Sequence, residues 1–184
     1  DSFITTNNNT DEIVANSKKN VQKFSGYKQW DITQKFLFKP SANSSHAINF
    51  QFSNTNNVPR YDRLQDIRSG RLRYANWIYG PQKRLLGAYE FNISNISFFD
   101  ELKANLNYQD IEESRQQRDY RRYDRFDSRK EKIKIWGATI TGRKVIGNNE
   151  LVTGFDMQLN NLKSRATRTN ILTGEESALD ARYP

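Results

Sequence analysis

The sequence contains no cysteine, one histidine, one methionine and four prolines in 184 residues. Without cysteine it forms no disulfide and no thiolate metal site. The lone histidine, His46, has no imidazole partner, so no metal site and no cofactor are expected. No run of about 18 apolar residues occurs, which excludes a transmembrane helix and leaves strand-built membrane proteins untouched. Hydrophobic residues make up 35% and the mean hydropathy is −0.91. A soluble α/β enzyme would carry about 45–50% apolar residues. Such polarity often means disorder, yet aromatics reach 12%, which disordered chains avoid. A chain both wet and aromatic suits an architecture with a thin apolar band between polar surfaces. The formal charge of +8 permits an acidic ligand or nucleic acid without requiring either.

What is there is alternation of period two, the mark of strands with unlike faces. Residues 1–26 are Asn- and Thr-rich with little periodicity and read as loop. In residues 29–39, Trp30, Ile32, Phe36 and Phe38 share a face opposite Asp31, Thr33 and Lys35, and Pro40 is expected to end the strand. In residues 46–54, Ile48, Phe50 and Phe52 oppose Asn49, Gln51 and Ser53. Residues 82–92 and 100–110 alternate likewise, the second with Leu102, Ala104, Leu106 and Tyr108 on one side. Residues 130–141 change phase, since Ile133 and Ile135 oppose the lysines while Trp136, Ala138 and Ile140 fall on the lysine side; a bulge near Gly137 would reconcile them. Residues 150–160 complete the set.

These six strands form three hairpins. Short turns at 41–45, 93–97 and 142–149 close them on one side. Long, charged connections at 56–81 and 111–129, with a tail at 161–184, lie on the other. Strands of this length match the roughly 9–11 residues of a tilted membrane strand, and short turns opposite long loops are the habit of outer-membrane barrels. The expected fold is therefore all-β: an antiparallel up-and-down transmembrane β-barrel segment of about six strands, with long extracellular loops. Backbone groups in lipid must all pair, so a sheet there has to close. Six strands fall short of the roughly eight of the smallest membrane barrels, so residues 1–184 are expected to be part of a larger barrel. The soluble counterpart of this pattern is an antiparallel sandwich.

The segment 49–88 carries a more specific signal: Pro59, Arg60, Tyr61, Asp62, Arg63 and Leu64 in a loop, then Trp77, Tyr79, Gly80, Pro81 and Gln82 opening the next strand. It resembles the barrel of TonB-dependent receptors of Bacteroidota type. Arg125, Phe126 and Arg129, and Thr173, Gly174, Arg182, Tyr183 and Pro184, fit the same resemblance. The family implies a barrel of roughly 22 strands with a plugged lumen, in the cell outer membrane. It implies import of siderophores, haem, cobalamin or glycans, driven by a TonB energy-coupling complex that contacts the plug. Residues 1–184 hold no recognisable plug domain and no TonB-contact segment. The Phe-Arg-Ala-Pro and Asn-Pro-Asn-Leu motifs of haem receptors are also missing. Outer-membrane lipid, lipopolysaccharide and a surface lipoprotein are the further partners expected; nucleic acid is not.

Two clusters are candidate substrate contacts. One is Arg60, Tyr61 and Arg63, beside Trp77 and Tyr79; its other reading is a loop folded over the barrel rim, with the two aromatics in the interfacial belt. The second is Arg118, Tyr120, Arg121, Arg122 and Tyr123 within the arginine-rich stretch 115–129. Guanidinium groups hold phosphate or carboxylate in bidentate fashion, and rings stack on sugars or planar ligands. The alternative is a solvated loop whose arginines pair with Asp119, Asp124 and Asp127 or with lipopolysaccharide phosphates. Asp31, Lys35, Arg84, Glu90, Lys103 and Asp156 are expected on the lumen side, against a plug. No nucleophile elbow, phosphate-binding glycine loop or paired carboxylates are present, so no enzymatic activity is expected. The competing function is a soluble β-rich module binding RNA or another polyanion, which would place basic and aromatic residues together on a sheet face.

Overall fold

The computed structural model describes residues 1–183; Pro184, the last residue of the terminal motif, lies outside them. In chain order the elements are β1 (Ser2–Asn7), β2 (Thr10–Ala15), β3 (Gln29–Ser41), β4 (Ser44–Thr55), β5 (Val58–Pro59), α1 (Tyr61–Leu64), β6 (Ile67–Arg68), β7 (Arg71–Leu72), β8 (Tyr74–Tyr79), β9 (Lys83–Ile96), β10 (Phe99–Asp119), β11 (Phe126–Ile146), β12 (Asn149–Thr169) and β13 (Glu176–Leu179). One antiparallel sheet dominates, ordered β13-β12-β11-β10-β9-β4-β3. It is a single layer and forms the wall of an up-and-down barrel. Among the described residues no second sheet packs on its apolar face, so the sandwich alternative does not apply.

Cross-strand register sorts the side chains. Phe36, Ile48, Tyr89, Leu106, Ala138 and Met157 lie in one row, and Phe38, His46, Phe91, Ala104, Ile140 and Phe155 in the next. Partners in register share a face, so these rows make one apolar surface. Ile48, Phe50, Leu106, Trp136, Phe155 and Leu159 are all exposed on it. Leaving such side chains in water forgoes about 1.5–3 kcal/mol apiece. The band runs from Leu151 to Leu159 on β12 but from Trp30 to Phe38 on β3, and Trp30 shares its row with Lys132 and Lys163. The band is thus slanted against the hydrogen-bond rows, as the tilt of barrel strands requires. Asp31, Lys35, Arg84, Glu90, Lys103 and Asp156 all fall on the opposite, inward face.

Several expectations need correction. Residues 1–26 are not all loop: β1 and β2 pair as a hairpin. Its turn puts Asn8 at φ 46 and Asn9 at φ 59, the double left-handed geometry that asparagine tolerates. Residues 111–119 and 126–129 are not connection but continuations of β10 and β11, leaving a turn at 120–125. β12 likewise runs through 161–169, and β13 pairs with its end. The connection 56–81 is folded: β8 pairs with β10 from Tyr79 opposite Arg115, where β9 has ended at Lys83 opposite Glu112. Pro40 does not end β3; it sits at a register shift between Phe38 and Ser41, where a missing N–H is harmless.

The bulge near Gly137 is absent. Gly137 sits in unbroken register with Asn107 and Gln158. Ile133 faces inward beside Ile111 and Leu162. The phase changes because the outward surface changes: beyond Trp136 it carries Lys134, Lys132 and Lys130 instead of aliphatics. Gly137 itself leaves room for Asn107, whose Nδ2 lies 2.5 Å from where a Cβ would stand.

Candidate anion-binding cleft at the long-loop end

The site begins with period-two alternation on three long strands. At the long-loop end, Gln117 of β10, Asp127 of β11 and Arg168 of β12 face inward, and Asp119, past a register shift in β10, lines the same cleft. Arg68 of β6 and Arg73 close the cleft from one side, and Arg122 and Arg125 from the turn at 120–125. The enclosed volume is about 270 Å³. Five guanidinium groups line it against two carboxylates, Asp119 and Asp127.

The carboxylates are partly committed. Arg168 donates to Asp127 in bidentate fashion at 2.7 and 2.8 Å, and Asp127 raises the Arg168 pKa. Asp119 stands 3.7 Å from Arg73 and 3.9 Å from Arg68, as ion pairs without a hydrogen bond. Arg73 Nε is buried and has no hydrogen-bond partner among the described residues. Arg122 bonds Asp124 at 3.1 and 3.2 Å, and Arg125 bonds it at 3.2 Å. That Arg122 contact holds the Asp124 carboxyl down at about 2. The cleft keeps positive charge in excess and an unused N–H, which is the chemistry of an anion site. Beside it, Arg115 and Arg129 line a second inward recess of about 150 Å³ with Glu113, Glu131, Tyr79 and Arg182.

The expected contact residues separate. Arg122 lines the cleft. Arg118 does not: it is 2% exposed and grips Asp11 of β2 at 2.7 and 2.8 Å, with Thr6 of β1 at 2.9 Å. Tyr123 lends its hydroxyl as acceptor to the Asp11 N–H at 2.9 Å, and its ring lies 5.4 Å from the Arg118 guanidinium. Arg121, at φ 59, donates its backbone N–H to Asp11 at 2.7 Å and lays its side chain over Tyr120 at 5.0 Å. Tyr120 donates its N–H to the Arg73 carbonyl at 2.7 Å. Arg118, Tyr123 and Arg121 thus fasten the amino-terminal hairpin to the rim, and Tyr120 ties the turn to Arg73.

Arg60 bonds Asp62 at 2.7 and 2.8 Å and covers Tyr79 at 5.0 Å and Trp77 at 5.6 Å. Arg63 covers Trp77 from 5.8 Å and bonds Asp66 at 3.2 Å. The Tyr61 hydroxyl donates to the Asp1 carboxylate. Trp77 is buried with Leu64 and Tyr74, so it lies in a rim core and not in an interfacial belt. Arg68, Arg73 and Arg168 are the cleft residues that sequence reasoning missed. Only the continuation of β12 in register with β11 would have found Arg168.

No helix among the described residues is long and apolar enough to cross a membrane, and no cluster of metal-type ligands occurs among them. Among solved structures, the chain is similar to a copper transporter, OprC, with a TM-score of 0.62 at 14% identity. The match covers 86% of this chain and 24% of that one, so the chain spans about a quarter of the transporter's length. The likeness establishes the fold. No family model and no curated protein matches the sequence.

Proposed function

We propose that this chain is part of a TonB-dependent outer-membrane receptor that imports a bulky nutrient of the siderophore, haem, cobalamin or glycan class. One observation carries the reading: a single-layer sheet bears an exposed apolar band outward and polar side chains inward along the same strands. Lipid is the medium that favours both faces at once. The likeness to a transporter barrel supports it. The Pro59–Leu64 and Trp77–Gln82 motifs support the Bacteroidota-type branch. On this reading the turns near 42, 97 and 147 face the periplasm, and the cleft faces the cell exterior. A plug domain elsewhere in the receptor meets the TonB complex, and a surface lipoprotein serves as partner.

Arg122, with Arg68, Arg73 and Arg168, contacts an anionic group of the substrate. Arg118, Tyr123, Arg121 and Tyr120 hold the rim that carries the cleft, and Arg60, Tyr61 and Arg63 brace its core. Copper is not the cargo this chain is built to contact. Its soft donors are His46, which hydrogen-bonds Tyr89 at 2.7 Å, and the exposed Met157, both on the outward face.

Because the chain lacks cysteine, single-cysteine variants of the receptor carrying it test the reading. On intact cells, an impermeant maleimide is expected to label Arg121→Cys and to spare Leu106→Cys, which reacts only with a lipid-soluble reagent. Equal labelling of both by the impermeant reagent would place the band in water and end the proposal. With pyrophosphate as probe, Arg73→Gln combined with Arg168→Gln is expected to weaken binding at least about tenfold.

A further inference from the structure

The amino-terminal hairpin and the cleft lie on opposite sides of the barrel wall. Arg118, which grips the hairpin, points outward from β10, while Gln117 beside it lines the cleft. The strand then runs into the turn at 120–125, and that turn serves both sides. Arg122 and Arg125 line the cleft. The Arg121 N–H donates to the Asp11 carboxylate, and the Tyr123 hydroxyl accepts the Asp11 N–H.

Little else fixes the middle of the turn. The Tyr120 N–H donates to the Arg73 carbonyl at 2.7 Å, and the Ile171 N–H donates to the Tyr123 carbonyl at 2.8 Å. Between these points Arg121 takes φ 59, a left-handed backbone that a β-carbon disfavours. Among the described residues its amide has one acceptor, the Asp11 carboxylate at 2.7 Å. Arg122 and Arg125 follow directly and are joined to each other through Asp124. A second thread leaves the hairpin at Ser2, whose carbonyl accepts the Gln65 side-chain amide at 3.0 Å. The next residue, Asp66, accepts the Arg73 N–H on its carbonyl at 2.8 Å. Both threads end on arginines of the cleft.

Adhesion alone does not call for a carboxylate at position 11. A buried ion pair holds two surfaces no better than well-packed apolar side chains do. What the carboxylate adds is direction. Asp11, 1% exposed, accepts from Arg118 twice, from the Thr6 hydroxyl and from the Arg121 amide, and the last of these bonds fixes the turn.

We infer that Asp11 is a positioning residue for the cleft: by docking the hairpin and holding the Arg121 amide it presets Arg122 and Arg125 for an anion, so that hairpin docking and anion capture are coupled. The inference rests on the cleft reading above. Asp11 touches no ligand, since it lies across the wall from the cleft. An anion in the preset cleft tightens the hairpin by the same factor by which docking tightens the anion.

The complete receptor in detergent, with pyrophosphate as probe, tests both directions. In calorimetric titration, Asp11→Ala is expected to weaken pyrophosphate binding about fivefold or more, the lower edge of usual couplings, although every cleft residue is unchanged. In wild type, saturating pyrophosphate is expected to slow hydrogen exchange of the β1 and β2 amides by the same factor. Arg118→Met combined with Asp11→Leu keeps an apolar contact under the hairpin but leaves the Arg121 N–H without its acceptor. In that variant β1 and β2 are expected to stay protected, while pyrophosphate binds weakly and no longer alters their exchange. Binding of pyrophosphate by Asp11→Ala at the wild-type Kd overturns the inference, as does wild-type hairpin exchange that pyrophosphate leaves unchanged. Full affinity in the double variant would make Asp11 a mere adhesive and overturns it too. A wild-type receptor that ignores pyrophosphate ends the cleft reading itself. One that binds it through Arg73 and Arg168 yet is indifferent to Asp11 ends this inference alone.

Discussion

The two ends of β10–β12 obey opposite rules. In the band, large apolar side chains such as Leu106, Trp136 and Phe155 are exposed, and nothing among the described residues covers them. At the rim, the most deeply buried large side chains are an arginine and an aspartate, Arg118 and Asp11. On the proposed reading, one region takes its stability from a solvent of hydrocarbon, where an outward leucine costs nothing. The other is a miniature soluble protein, with Trp77, Leu64 and Tyr74 as its core and an ion pair as its bolt. The same strands serve both, because pairing depends on backbone groups and not on which liquid touches the side chains.

Breaking the bolt should have the largest effect. Arg118→Met leaves Asp11 buried without its partner, which costs about 3–5 kcal/mol. The expected result is loss of hydrogen-exchange protection across β1 and β2 with β9–β12 unchanged. Adding Asp11→Leu should restore much of the docking, since a buried pair replaced by apolar groups is often near neutral. Protection that survives Arg118→Met would show that the hairpin is held by something else.

Next is the band. Leu106→Arg places a cation at mid-height on the outward face, for about 2–4 kcal/mol. Asn105→Arg, one residue away and inward, should be close to neutral. Heat-modifiable mobility of the complete receptor on gels reads both, and equal losses would abolish the distinction between the faces.

Acid should act on the rim alone. Burial tends to raise the Asp11 carboxyl, but the bonds from Arg118, the Arg121 N–H and Thr6 outweigh it and set its pKa below the ordinary value. A carboxyl lowered in the folded state stabilises fully above its unfolded pKa of about 3.9, and the contribution fades as pH falls through the folded value. Exchange protection of β1–β2 is therefore expected to hold at pH 5 and to decline below about 4, before that of β10–β11. The smallest effect concerns Asp124. Arg122→Gln removes the guanidinium that holds it at about 2, and its carboxyl should titrate higher by NMR with no measurable change in folding.

What could be read in the sequence follows the same division. Strands β3, β4 and β9 and the lower parts of β10–β12 were legible because an apolar outward face and a polar inward face on the same strands force alternation. Ile111–Asp119 and the end of β12 were not, since both of their faces carry mostly polar side chains, the buried Ser114 and Arg118 among them, and no apolar alternation marks them. Gln116, Gln117 and Arg118 look like loop yet pair with Ile78, Trp77 and Asn76. The hairpin β1–β2 hides in asparagine-rich sequence because its fixing contacts are long-range, Thr6 and Asp11 to Arg118. Arginine density around 115–129 pointed to the right end of the molecule. It could not tell Arg118, turned outward into a bolt, from Arg122, turned into the cleft, because that choice depends on strand register and on the turn at 120–125. Arg68, Arg73 and Arg168 lie far away in sequence and join only when the strands pair.

The length of β10 and β11 has a consequence of its own. Each has 21 residues, about ten beyond what a bilayer crossing uses. At roughly 3.3 Å per residue, the surplus is a paired mast some 30 Å long, measured along the tilted strands. On the proposed orientation, capture takes place among the surface polysaccharides, well above the lipid. On that reading a nutrient meets arginine before it meets the pore.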